Sequence, residues 1–274
     1  MNTHTNNHPI RLIALDLDGT LLSSDGSLSE RNAQAIQTAV SRNIQVILAT
    51  GKSRASALHL IERLGLQTPG VYVQGVMVHN ADGSVRYAAE IAGETAVQLI
   101  TFAEEAGLPH IAYSGGRILT PYDTSYRRRL YQRYHEPEPQ VVGPLLPYLA
   151  GAPLNKLLIS DEANNDATRA HLKALVGGRA HVTQAIPDYV EVLPAGVSKG
   201  GSVRRVLDDL GIDPVHALAI GDGENDLEML QMAGVGVAMG NAKAIVRAAA
   251  DWVTASTDES GVALAIERFA LGEQ

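Results

Sequence analysis

The chain has 274 residues, 45% of them apolar, no cysteine and a formal net charge of −8. That length and apolar content suit one large domain or two modest ones. The lack of cysteine excludes disulfides and thiolate metal sites, and an acidic chain without a basic tract argues against nucleic acid or an anionic membrane as a partner.

In chain order, the polar start MNTHTNNHP lacks the apolar core of a signal peptide. His4 and His8 within it read as part of a tail rather than a metal site. No apolar run approaches the ~18 residues of a membrane span, so a soluble, cytoplasmic protein is expected. RLIALD (11–16) is a short apolar run that predicts a buried strand. Ser27 and Glu30 have capping-box spacing ahead of a helical pattern through Ala33, Ile36 and Val40. IQVILAT (44–50) predicts a second strand, 53–64 a helix stopped near Gly65, and VYVQGVMVH (71–79) a third strand. Short buried strands alternating with helices are the pattern of a doubly wound parallel sheet.

Asp82-Gly83 then marks a hairpin turn. Over 84–189 the strand candidates are 85–91, 110–114, 117–120, 156–160 and 180–184, and the helix candidates are 94–106 and 162–176. Prolines 137, 139, 144, 147 and 153 punctuate this stretch. It reads as an inserted α+β domain with an antiparallel sheet. From about 190 the α/β rhythm returns, with a helix at 199–210, a strand at 216–222, a helix at 227–232, strands in GVGVAMG and WVT, and helices at 242–250 and 262–270. The expected organisation is a discontinuous Rossmann-like core, 1–83 and 190–274, carrying an α+β cap domain, 84–189.

Ligands of open α/β sheets sit beyond the carboxyl ends of the strands. The polar residues there are Asp16 and Asp18, then Thr50, Gly51 and Lys52, then Asp222, Asn225 and Asp226, with Lys199 opening a nearby helix. Clustered carboxylates need a counter-charge. An all-oxygen donor set without cysteine favours a hard cation, Mg²⁺ by default. A hydroxyl, backbone amides around a glycine and a lysine suit an anion with several oxygens, so the set reads as a phosphoryl-transfer arrangement. Taken singly, each has a plainer reading: a turn cap at an Asp, an ordinary strand exit at Thr50-Gly51, a surface lysine at Lys199.

DLDGTLL (16–22), ATGK (49–52), GVSKG (196–200) and GDGENDLEML (221–230) resemble the four motifs of the haloacid dehalogenase-like phosphatase superfamily. The insert between the second and third motifs resembles that of its Cof-type branch, as do VEVLPAGVSKG and GVAMGNA. The resemblance implies a Mg²⁺-dependent phosphatase of small phosphorylated metabolites. It implies Asp16 as the nucleophile that becomes an aspartyl phosphate, Asp18 as acid and base, and Thr50 and Lys199 as catalytic partners. Gly51, Lys52, Asn225 and Asn241 would lie at the phosphate or substrate, and Asn241 also reads as a cap for the helix from Ala242. Asp16, the backbone carbonyl of Asp18 and Asp222 would hold Mg²⁺, with Asp226 orienting them, and the insert would act as a lid.

Three positions depart from the branch's common pattern: Lys52 for arginine, Gln74-Gly75-Val76 for Asn-Gly-Ala, and Thr257 for asparagine. Within the insert, Arg127, Arg128 and Arg129 fan out on any helix and predict a solvated or partner-facing surface. His110, Tyr113 and Lys156 read as strand packing or surface before substrate contacts. A sugar phosphomutase would carry the same motifs. A phospho-accepting signalling protein would lack the Asp at +2 and the late GDGEND, and a silent binding protein would not need the intact set. A monomer and a dimer are both compatible with the pattern.

Overall fold

The structure, a computed structural model, describes residues 8–184 and 188–272, so His4 lies outside the described residues. The chain divides into two units, Met1–Tyr87 with Ser198–Gln274, and Ala88–Val197.

The first unit is built on a five-stranded sheet in the spatial order Trp252–Val253, Val235–Ala238, Ala217–Gly221, Leu12–Leu15, Gln45–Leu48. Every neighbouring pair is parallel. Strands Leu12–Leu15, Ala217–Gly221 and Val235–Ala238 are buried along their whole length. Such strands read as continuous apolar runs because helices cover both faces of a parallel sheet. The helices are Glu30–Ser41, Arg54–Leu64, Lys199–Leu210, Leu227–Met232, Ala244–Ala249 and Gly261–Ile266, the last continuing through a wider turn to Leu271.

Two local expectations are corrected. Helix Glu30–Ser41 is capped by Ser29, whose hydroxyl accepts the Asn32 N–H, and not by Ser27. Leu28 is buried and bridges to Leu22, which keeps the chain extended past residue 27. VYVQGVMVH is not one strand. It divides into Gly70–Tyr72 and Met77–His79, which pair antiparallel and are joined in a three-stranded sheet by Val85–Ala88. Between them Val73, Gln74 and Gly75 take φ of 53, 61 and 93°. The turn is marked in the sequence only by Gln74-Gly75, set between valines.

The second unit holds a six-stranded sheet in the order Ala180–Thr183, Val190–Pro194, Lys156–Ile159, His110–Ser114, Arg117–Thr120, Gln140–Val141. Neighbours are antiparallel except the last pair. Helices Gly93–Glu105 and Asn165–Val176 bring Leu99, Ala103, Leu172 and Val176 onto Leu157, Ile159, Val190 and Val192. Because Val190–Pro194 is a strand of this sheet, the chain leaves the unit at 197/198 rather than 189/190. It enters at 87/88 rather than 83/84, because Val85–Ala88 pairs with the first unit's small sheet.

Helix Ser125–Tyr134 carries the three adjacent arginines. They fan out as expected, but their charges are met within the unit. Arg127 pairs with Asp123 and Glu138, Arg128 with Asp123, and Arg129 with Glu162 and Asp188. His110, Tyr113 and Lys156 are all buried, and Lys156 Nζ lies 2.5 Å from Glu191 Oε2.

Candidate active site

Strand Leu12–Leu15 delivers Asp16, 6% exposed, whose N–H donates to the Ile220 carbonyl at 3.1 Å. The chain then folds tightly, with the Thr20 and Leu22 N–H groups both donating to the Leu17 carbonyl. Gly19 sits inside this loop at φ 79°, and a Cβ there would collide with the Asp222 carboxylate. Only glycine fits that approach and that backbone.

The neighbouring strand Ala217–Gly221 delivers Asp222 to Asp226. Asp226 is fully buried and both of its oxygens are engaged. Oδ2 accepts the N–H groups of Asp222 and Gly223 at 3.1 and 2.9 Å, and Oδ1 accepts from Lys199 Nζ at 2.6 Å. Lys199 opens helix Lys199–Leu210, which Ser198 caps through the Gly201 N–H. The same Nζ donates to Asp16 Oδ1 at 2.8 Å, so one buried cation joins the loops that follow two adjacent strands. Asp222 Oδ1 accepts from the Thr20 hydroxyl at 3.2 Å. Asp16, Asp222 and Asp226 each place a carboxylate oxygen within 4.8 Å of the others.

Asp16 and Asp226 bond one lysine, with Asp222 close to both, and burial dominates the proton affinities of Asp16 and Asp222. Burial pushes the Asp16 carboxyl up to about 7; Asp226 adds to the effect while Lys199 opposes it. Burial, then Asp226, pushes Asp222 up to about 6. Burial works against the charge on Lys199, but Asp16 and Asp226 outweigh it and hold the ammonium charged.

Strand Gln45–Leu48 leads to Thr50, which is buried and accepts the Lys52 N–H at 3.1 Å through Oγ1. Lys52 Nζ lies 3.2 Å from Asp18 Oδ1, whose side chain is 63% exposed. Asn225 donates from Nδ2 to Gln74 Oε1 at 2.8 Å. Asn241 caps no helix, because Ala244–Ala249 starts two residues after the expected place. Its Nδ2 donates to the Gly19 carbonyl at 2.8 Å and its Oδ1 accepts the Thr257 N–H at 2.9 Å.

A family model described as haloacid dehalogenase-like hydrolase matches residues 13–266. The chain belongs to the haloacid dehalogenase-like hydrolase family. Among curated relatives of this hydrolase, the chloroplastic endoribonuclease YBEY of Arabidopsis thaliana is 37% identical over 269 residues, covering 94% of this chain but 46% of that protein. The chain therefore spans less than half the length of that relative. The 5-amino-6-(5-phospho-D-ribitylamino)uracil phosphatase YitU of Bacillus subtilis is 30% identical over 263 residues, 94% of this chain and 97% of that one. A solved structure from Thermotoga maritima, 28% identical, matches with a TM-score of 0.87 over 94% of this chain and 97% of that one.

Two polar residues beside the candidate site find their partners only in the fold. Thr20 stands inside DLDGTLL yet earned no assignment, because only the fold shows its hydroxyl on Asp222. Gln74 departs from the branch's common pattern at a place expected near the substrate, with an effect on specificity, but its contact with Asn225 crosses 151 positions of sequence.

Proposed function

We propose that this chain is a phosphatase of small phosphorylated metabolites, working through an aspartyl phosphate on Asp16. The observation that carries the reading is Asp16 itself: a buried carboxylate held by Lys199 Nζ at 2.8 Å, with Asp222 and Asp226 close by. The phosphatase name of the Bacillus subtilis relative supports it, and so does membership of a hydrolase family.

The donor set fits Mg²⁺. It is all oxygen, with three carboxylates gathered beside one lysine. Asp16 and Asp222 would hold the ion, together with the backbone carbonyl of Asp18. Asp226, with both oxygens already bonded, would orient the others. Bound there, the ion would neutralise the surplus carboxylates and polarise a phosphoryl oxygen.

In this reading an Asp16 carboxylate oxygen attacks phosphorus while the bond from phosphorus to the leaving oxygen breaks. Asp18 protonates the departing alcohol. It then takes a proton from the water that attacks the aspartyl phosphate, and inorganic phosphate leaves with Asp16 restored. The exposure of Asp18 lets it serve both alcohol and water, and Lys52 steadies it. Lys199 fixes the Asp16 carboxylate by donating to Oδ1. Thr50, the backbone at Gly51, Lys52 and Asn225 supply donors for phosphoryl oxygens. The inserted unit, Ala88–Val197, is proposed as the cap that selects among substrates.

The test is Asp16→Asn, assayed for phosphate release from a panel of phosphorylated metabolites with Mg²⁺. The variant keeps the shape of the side chain, so a folded protein without turnover is expected. Normal turnover overturns the assignment of the nucleophile.

A further inference from the structure

We propose that Gln74 is a positioning residue for the phosphoryl pocket, one whose amide presets the Asn225 side chain and closes against Gly51. The inference rests on the phosphatase reading above.

It begins from the backbone. Val73, Gln74 and Gly75 are left-handed in succession, with φ of 53, 61 and 93°. Side-chain-bearing residues avoid this region, β-branched valine most of all. The segment is nevertheless held on both sides. The Val73 N–H donates to the Lys52 carbonyl at 2.9 Å and the Gln74 N–H to the Thr50 carbonyl at 3.1 Å. The Ser202 hydroxyl donates to the Gly75 carbonyl at 2.6 Å. A Cβ on Gly75 would collide with the Ser198 carbonyl, so the turn also lies against the start of the Lys199 helix. Strain kept in place by this many bonds marks a conformation that serves the site.

From that platform the Gln74 side chain reaches two loops. Its Oε1 accepts from Asn225 Nδ2 at 2.8 Å. Its Nε2 lies 2.8 Å from where a Cβ on Gly51 would stand. Asn225 is exposed, and untethered it would exchange rotamers. One of its two amide protons is given to Gln74, which orients the amide plane and with it the second proton. Gln74 therefore acts before phosphate arrives, by removing freedom that binding would otherwise have to remove. Glycine at 51 leaves room for that amide.

Gln74→Gly separates this role from a structural one. It deletes the amide, and it also relieves the left-handed backbone, so the melting temperature should hold or rise. Calorimetric binding of inorganic phosphate in the presence of Mg²⁺ should nevertheless weaken about 5-fold, the cost of ordering one freed side chain. KM should rise by a similar factor, with kcat changed less. Asn225→Ala in the Gln74→Gly background should add little, because the two side chains act as a unit. Wild-type phosphate affinity in Gln74→Gly, or fully additive losses from the two changes, overturns the proposal. Phosphate binding needs no turnover. A wild-type protein that hydrolyses nothing, yet loses phosphate affinity on Gln74→Gly, removes the phosphatase reading and keeps this one. Normal turnover with unchanged phosphate affinity does the reverse.

Discussion

Each unit buries a lysine against acid, and the two differ in charge balance. In the first, Lys199 Nζ meets both Asp16 and Asp226, with Asp222 beside them. In the second, Lys156 Nζ meets Glu191 in the middle of a sheet and stacks over the Tyr113 ring, 5.5 Å from its centroid. A buried ion pair is by itself no sign of chemistry, since its attraction only offsets the desolvation of its members. What marks the first site is surplus: more carboxylates than cations, gathered where parallel strands end. The Lys156 pair lies along strands rather than beyond them, joining Lys156–Ile159 to Val190–Pro194 from the side.

Replacing each lysine by methionine tests that contrast. Lys199→Met frees the Asp16 carboxylate and leaves three acids without their cation, so turnover should fall roughly a hundred- to a thousand-fold. Lys156→Met strands Glu191 in the core and should cost about 3–5 kcal/mol of stability, read by urea unfolding, with turnover of a small aryl phosphate retained. Changing both partners, Lys156→Met with Glu191→Leu, should recover most of that loss because Glu191 is no longer a stranded charge. A Lys156→Met protein that folds normally and has lost turnover would make the two lysines equivalent and break the distinction.

The burial of Asp16 and Asp222 has a pH signature. With metal removed, burial first pushes Asp16 up to about 7 and Asp222 up to about 6, from 3.8 for both when unfolded. The folded protein therefore holds protons that the unfolded chain releases. The stability they confer is complete below about pH 3.8 and is lost as the pH climbs through 6 to 7. In chelator, the melting temperature should drop by several degrees between pH 5 and pH 8, and less in Asp222→Asn. Mg²⁺ competes with those protons, so it should raise the melting temperature more at pH 8 than at pH 5. Equal Mg²⁺ effects at the two pH values would mean that neither carboxylate holds a proton that the ion must displace.

The same contrast explains what sequence reveals. Strands buried on both faces leave unbroken apolar runs, so Leu12–Leu15 and Ala217–Gly221 stand out, and the acids that follow them stand out with them. Lys199 was legible because its motif is local and opens a helix. Glu191 was not, because its meeting with Lys156 depends on the register that sets Val190 opposite Ile159, a property of pairing rather than of either segment. The same pairing, a property of neither segment alone, places Val190–Pro194 in the second unit. Gln74 and Gly75 stand between valines, so the left-handed turn is marked only by a two-residue break in an apolar run. The cap of helix Glu30–Ser41 slipped from Ser27 to Ser29 because two serines compete, and only the burial of Leu28 decides between them.

The smallest effect sharpens the line between structural and chemical polar groups inside the first unit itself. Asn241 sits within a motif that implies a substrate contact, yet its amide is engaged at both ends by backbone, the Gly19 carbonyl and the Thr257 N–H. Thr257 in turn donates through its hydroxyl to the Thr20 and Leu22 carbonyls. Asn241 is thus one strut of a brace around the loop that carries Asp16 and Asp18. Asn241→Ala should lower stability by about 1 kcal/mol, the worth of its two partly exposed bonds. It should reduce kcat modestly, because the Gly19 loop loosens, while KM for different substrates stays near wild type. A KM that rises for some substrates and not others would place the amide on the substrate instead, and would move Asn241 from the brace to the pocket.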